Sequence, residues 1–359
     1  ERRKNYTLRE FEDAKIARNL YHELGAPSEE AMKALLRTNQ IKNCPVTPKH
    51  VDIAMRIFGP DMSTIKGKAT RSKAVAVRKD IVEIPKEIID LHKDLELFID
   101  VMFINRLPFM TGIDGSIKCR LIATIKNREN EELYIALEKF VRLFNMAGFV
   151  VKKIHADGEF EHMRRDIEEE LGCESNISSA GEHVHQAERN NRTIKERVRT
   201  QFHRLPFHTL PKVMVEDLAI TCTDKLNFFP VKGGVSSYYS PRMIIKHENI
   251  DYAKHCSIPF GSFVQAEYDI KRSNTQHARR KDAIYLRPKQ NDQGGHYCMD
   301  LHSGARFTTR NVTVLPMTDV VIRAVNAMGV RQGRPRGLKF ENRHGTIMQD
   351  ADWIGGVDY

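Results

Sequence analysis

Over residues 1–88 the apolar positions fall at helical spacing. Leu8, Phe11, Ala14, Ala17 and Leu20 mark one stripe, and Ser28 followed by Glu29 and Glu30 opens a second amphipathic run through Met32, Leu35 and Leu36. From Gly67 to Lys79 the chain is basic and weakly periodic, which predicts a linker. The texture changes near residue 95. LELFIDVMFI, PFMTGI and IKCRLIATI are short β-prone runs separated by turn signals at Asn105-Arg106 and Asp114-Gly115, and they predict an antiparallel meander.

Asn130 then opens a helix with Leu133, Leu137, Phe140, Val141 and Phe144 on one face, closing at Gly148. FVVKKIHA returns as a strand, and Glu159 to Leu171 predicts a helix that buries Met163, Ile167 and Leu171. That fourth strand is reached by a crossover, so the order implies an α/β fold with a mixed sheet. A long basic helix is expected over about Gln186 to Leu205, and another after Pro211 through Val215, Leu218, Ala219 and Leu226. Beyond Ser236 the runs SFVQAEYD, DAIYLRP, HYCMDL and NVTVLP, punctuated by glycine turns, suit a small antiparallel barrel. Gly and Arg dominate from Asn326, which predicts a flexible tail.

A chain of 359 residues exceeds one usual domain and calls for at least two compact units. Apolar residues make up 41% and charged residues 29%, and no apolar run approaches the ~18 residues of a membrane-spanning helix. The sequence opens at Glu1 with no signal-type apolar run and reads as a fragment of a longer polyprotein. Six cysteines lie far apart without a Cys-x-x-Cys pair, a usage that indicates neither a disulfide framework nor a zinc ribbon and suits a reducing intracellular compartment. Fifty-seven Lys and Arg against 47 Asp and Glu leave a formal charge of +10, which predicts salt-sensitive attraction to a polyanion.

Three carboxylates carry the candidate chemistry. Asp100 sits in the first strand between apolar flanks, where a lone carboxylate is costly to bury. Asp157 ends the fourth strand ahead of Gly158, at the sheet edge where open α/β folds hold ligands, although taken alone its position favours a turn or helix-cap role. Glu188 stands near the start of the basic helix, with Arg192, Lys195 and Arg199 four, seven and eleven residues on and along the same face. Acids that converge repel one another, and hard divalent ions bound by carboxylate and phosphate oxygens relieve that repulsion.

The run QAERNNRTIKERVR from Gln186 to Arg199 resembles the catalytic helix of copia-type retrotransposon integrases. FID at 98–100 and HADGEF at 155–160 resemble the first and second acidic motifs of that family, and the similarity extends over about residues 90–317. Thirty residues separate Asp157 from Glu188, a shorter interval than is usual there. The resemblance implies a ribonuclease H-like mixed five-stranded sheet flanked by helices, with a helical N-terminal region and a small β-rich C-terminal module. The corresponding divisions are 1–88, a catalytic core over 89–235, a DNA-binding module over 236–325 and a tail over 326–359.

The resemblance further implies a DDE-type polynucleotidyl transferase, in which Asp100, Asp157 and Glu188 hold two Mg²⁺ or Mn²⁺ ions. Its partners would be the element's DNA ends and target DNA, bound by a homo-oligomer in the nucleus after synthesis in the cytoplasm, with no membrane involved. Phosphate contacts are expected from Arg189, Arg192, Lys195 and Arg199, and from Lys271, Arg272, Arg279, Arg280 and Lys281, a run that reads equally as a solvated loop. Zinc is not expected, because His22, Cys44 and His50 make a poor tetrahedral set. His183 and His185 flank the glutamate, while Cys119 and Cys222 read as small core residues. Two further functions stay open: an element-derived nucleic-acid-binding protein without catalysis, and a ribonuclease H-like nuclease.

Overall fold

The computed structural model describes residues 2–68, 77, 81–178, 184–267, 277–291, 293–341 and 346–347. Thr7 and Glu10 form a reciprocal cap on α1 (Leu8–Glu23), Ser28 caps α2 (Glu29–Arg37), and Pro48 occupies the first position of α3 (Pro48–Phe58), with α4 (Met62–Gly67) next in the chain. Ala14, Ala17, Met32, Val51 and Ala54 close a core of their own between these helices. The linker expected over Gly67 to Lys79 falls almost wholly outside the described residues.

After α5 (Lys86–Leu91) comes the central sheet, built from β1 (Asp94–Ile104), β2 (Leu107–Asp114), β3 (Arg120–Thr124), β4 (Val150–Ala156) and β5 (Glu174–Ile177). Helix α6 (Asn130–Met146) links β3 to β4, and α7 (His185–His203) and α8 (Lys212–Leu226) come after β5. The strand order is β3-β2-β1-β4-β5, with β1 to β3 antiparallel and β4 and β5 parallel to β1. This is the ribonuclease H-like mixed sheet that the sequence led us to expect. Asn105 and Arg106 turn β1 into β2 with φ of 51° and 61°, the geometry of a two-residue type I′ hairpin.

Alternation along β1 assigns its two faces. Leu95, Leu97 and Ile99 join Leu137, Phe140 and Phe144 of α6 in one core, while Met102 and Ile104 join Ile194 and Val198 of α7 and Leu218 of α8 in the other. The segment expected as one helix from Glu159 to Leu171 is instead a 3₁₀ turn (Gly158–Met163) followed by a wide π turn (Asp166–Glu170). The three-residue step between buried Phe160 and Met163 suits 3₁₀ geometry, where such residues eclipse. Ile167 is buried, but Leu171 is only partly so.

Short helices α9 (Pro241–Lys246) and α10 (Tyr252–His255) lead to β6 (Phe263–Glu267), β7 (Arg280–Pro288), β8 (His296–Asp300), β9 (Arg306–Thr309) and β10 (Val312–Val314). These form an antiparallel sheet in the order β10-β6-β7-β8-β9. This sheet shares its core with the central one. Phe263, Ile284 and Met299 belong to the same buried cluster as Met102, Phe109 and Leu218.

Up to Glu341 the structure corrects the flexible tail expected from Asn326; of the rest of that stretch, 342–345 and 348–359 lie outside the described residues. Thr318 caps α11 (Asp319–Arg331), whose Val321, Val325 and Met328 lie buried in that shared cluster. The Asn326 side-chain oxygen accepts the backbone N–H groups of His208 and Thr209 at 2.8 and 3.0 Å. Farther on, β11 (Phe340–Glu341) pairs with Phe103 and Ile104 of β1. Composition hid a short amphipathic helix whose inward face is Val321, Ile322, Val325, Met328 and Gly329. Among the described residues no helix is long and apolar enough to cross a membrane.

Candidate active site

Asp100 lies on the face of β1 that looks toward α7 and α8. The parallel β1–β4 pairing ends at Phe98 and His155; two residues farther on in each segment come Asp100, still in β1, and Asp157, just past β4, whose charge acts on Asp100. Asp157 leaves β4 into the 3₁₀ turn, and its carbonyl accepts Phe160 N–H at 2.9 Å. Across the other edge of β1, Asp100 opposes Thr111 of β2.

The Asp100 carboxylate is closely held. Its Oδ1 accepts the Val101 N–H at 2.6 Å, and its Oδ2 accepts Nδ2 of Asn191 at 2.6 Å. Thr111 Oγ1 donates to Asn191 Oδ1 at 2.6 Å, which turns the amide so that its NH₂ faces the carboxylate. Burial, and after it the negative charge of Asp157, raise the Asp100 pKa from 3.8 to about 7. The Val101 hydrogen bond and the Lys195 charge oppose that rise, while Glu159 adds to it.

Helix α7 delivers Asn191 because its inward stripe is Ala187, Asn190, Asn191, Ile194 and Val198. The helix start is seated where Val184 and Ala187 pack on Phe98 and Ile113. Glu188 lies one turn before Asn191, half exposed, with an oxygen 4.0 Å from Nδ1 of His185. The structure therefore brings Asp157 within electrostatic reach of Asp100, while Glu188 stands one helical turn before Asn191, near His185. Among the described residues no group of three His, Cys, Asp or Glu side chains is placed to share a metal ion.

The donor chemistry of the pair nevertheless suits a hard divalent cation such as Mg²⁺ or Mn²⁺. Two adjacent carboxylates repel, and one is held with its charge disfavoured, a state that bound positive charge relieves. Asp100 and Asp157 are the residues that would hold such an ion, with Glu188 the nearest further carboxylate on α7.

Of the basic residues proposed for phosphate contact, Arg189 is exposed, Arg192 and Lys195 are half-buried, and the Arg199 guanidinium lies 5.2 Å over the ring of Phe340. Arg279 is exposed, but the next two cations are engaged within the β-rich module. Arg280 donates to Thr313 Oγ1, and Lys281 pairs with Asp300 at 2.9 Å while resting 3.6 Å over Phe307. Lys271, Arg272 and His183 lie outside the described residues. In the N-terminal region His22 bonds Asp61 at 3.0 Å, His50 accepts the Thr47 N–H at 3.4 Å, and the Cys44 thiol donates to the Val46 carbonyl. Burial pushes the Cys119 thiol well above its ordinary value and Cys222 up to about 12, so neither is poised as a nucleophilic thiolate.

Asn191 and Thr111 are the residues that sequence reasoning passed over. The signal for Asn191 is an amide on the apolar stripe of α7, where a buried polar group requires a partner.

No family model matches the sequence, and no curated protein matches it. Among solved structures, the chain is similar to the crystal structure of the catalytic core domain of BIV integrase, at 15% identity and a TM-score of 0.32. The match covers 42% of this chain and 92% of that one. A likeness at that score is too slight to assign a role, and the fold stands on strand order and helix placement.

Proposed function

We propose that this chain is a retrotransposon integrase that processes the 3′ ends of element DNA and joins them to target DNA by phosphoryl transfer. The observation that best supports this reading is the pair formed by Asp100, within β1, and Asp157, just past the end of β4, buttressed by Asn191 from α7. A Mg²⁺ or Mn²⁺ bound there would neutralise charge on the transferring phosphoryl group and its flanking oxygens. Asn191 fixes one oxygen of Asp100, Thr111 fixes Asn191, and Lys195 contributes positive charge beside both. The exposed Arg189 and the net charge of +10 draw the DNA backbone toward that face. No covalent intermediate with the protein is required: water attacks first, and the released 3′ hydroxyl attacks the target strand. Homo-oligomers on paired DNA ends, acting in the nucleus, follow from the same reading.

One observation favours a second reading. Glu188 is half exposed and ungrouped with the aspartates, as befits an element-derived protein that binds nucleic acid without catalysis. A strand-transfer assay with Mg²⁺ and oligonucleotide ends separates the two. The integrase reading predicts joined product from the wild type and a loss of about a hundredfold or more in Asp157→Asn. Equal product from both proteins refutes it; DNA binding without product favours the second reading, and cleavage without joining favours a nuclease.

A further inference from the structure

Away from the aspartate pair, a cavity of about 270 Å³ lies between β3, α6, α8, α9 and the loop after β7. Its lining carries four cationic side chains, Arg120, Lys139, Arg242 and Lys246, against one carboxylate, Asp224. Glu248 exerts a further favourable charge on Arg242 and Lys246, and the foremost cation acting on Asp224 is Arg287, which is outside the lining. Positive charge is thus in surplus at the cavity.

The cations are also poorly matched by their partners. Arg242 is only 6% exposed, and its Nε is buried without a hydrogen-bond partner among the described residues. Its remaining bonds go to neutral groups, Gln290 Oε1 at 3.4 Å and the His255 ring at 3.1 Å. The same Gln290 oxygen accepts Lys246 Nζ at 2.7 Å, so one neutral amide oxygen serves one buried and one half-buried cation. Burial lowers the pKa of Arg242, and burial with Arg242's repulsion lowers that of Lys246, in each case against the attraction of Asp224 and Glu248. A buried donor left unpaired in this way marks a place for an acceptor.

We propose that this cavity binds a small free phosphoanion, of the size of inorganic phosphate or pyrophosphate, through Arg242 and Lys246 with Lys139 at its mouth. Its volume falls just below the ~300 Å³ at which drug-sized ligands begin to fit, which favours a compact anion. Tetrahedral phosphoryl oxygens supply the several acceptors that a guanidinium and an ammonium together call for. The site stands on the cavity alone and is indifferent to whether Asp100 and Asp157 process DNA.

The test is calorimetric titration of the full chain with inorganic pyrophosphate in a phosphate-free, low-salt buffer. Saturable one-to-one binding is expected, weakened about tenfold or more in Lys139→Glu and in Lys246→Gln. Lys139 is exposed on α6, so its variant keeps the fold, which circular dichroism verifies. It decides the matter if Lys246→Gln does not fold. Absence of saturable binding overturns the proposal, as does unchanged affinity in the folded variants. Short duplex DNA is titrated in parallel: if the variants weaken DNA binding while pyrophosphate does not bind at all, the cavity takes backbone phosphate and the free-anion site is wrong.

Discussion

Replacing Asp100 by Asn isolates the electrostatic cost built into the aspartate pair. In the folded chain burial and Asp157 raise the Asp100 pKa from 3.8 to about 7. Between those values the folded state holds a proton that the unfolded chain has lost, so wild-type stability falls as pH rises from about 4 to about 7 and levels off above. That difference corresponds to at most about 4 kcal/mol. The variant has no proton to lose there. Its amide has one oxygen where the carboxylate offered two to Val101 N–H and Asn191 Nδ2, so in either orientation its NH₂ faces a donor, and this mismatch costs about 1–3 kcal/mol at every pH. The two contributions separate because only one depends on pH. Urea unfolding followed by far-ultraviolet circular dichroism, with chelator present, should show the gap between the proteins moving in the variant's favour by about 2–4 kcal/mol from pH 4 to pH 8. Parallel stability profiles for the two proteins would refute the reasoning.

Asn191→Ala removes the side-chain partner of the Asp100 carboxylate and leaves Thr111 Oγ1 with the Asp100 carbonyl, at 3.1 Å, as its acceptor. It should lower stability by about 1–3 kcal/mol in urea unfolding and slow strand transfer more than it weakens DNA binding. Asp217 is fully buried between Arg287 Nε at 2.5 Å and Arg306 Nη2 at 2.7 Å, tying α8 to the second sheet. Asp217→Asn should therefore destabilise by about 3–5 kcal/mol, measured by thermal unfolding. At Gly329 an added Cβ would meet Thr209 Cγ2 at 2.8 Å and its carbonyl oxygen at 2.9 Å, so Gly329→Ala should cost about 1–3 kcal/mol and expose α11 to limited proteolysis.

Much of this architecture is written in local pattern. Alternation in LELFIDVMFI gives β1 and its two faces, Asn105-Arg106 gives the hairpin, and the stripe from Leu133 to Phe144 gives α6. Asp100 was legible as a carboxylate among apolar neighbours, and Asp157 as the residue ending a strand. What pattern does not encode is pairing between distant segments. The approach of Asp157 to Asp100 depends on the parallel pairing of β1 with β4, and the grip on Asp100 depends on where α7 lands. Helix α11 escaped notice because Gly and Arg dominate its surroundings, while its burial is decided by a cluster built from strands far away in sequence. The rotamer that sets Glu188 toward His185 is likewise a matter of three-dimensional contact, invisible to helical spacing.

The central claim is that Asp100 and Asp157 act as one acidic unit made to receive a hard cation. Titration of the full chain with Mn²⁺, following the free ion by electron paramagnetic resonance, tests it most directly. Saturable uptake by the wild type, weakened about tenfold or more in both Asp100→Asn and Asp157→Asn, is the predicted result. Uptake that is equal in all three proteins, or absent from the wild type, would contradict it.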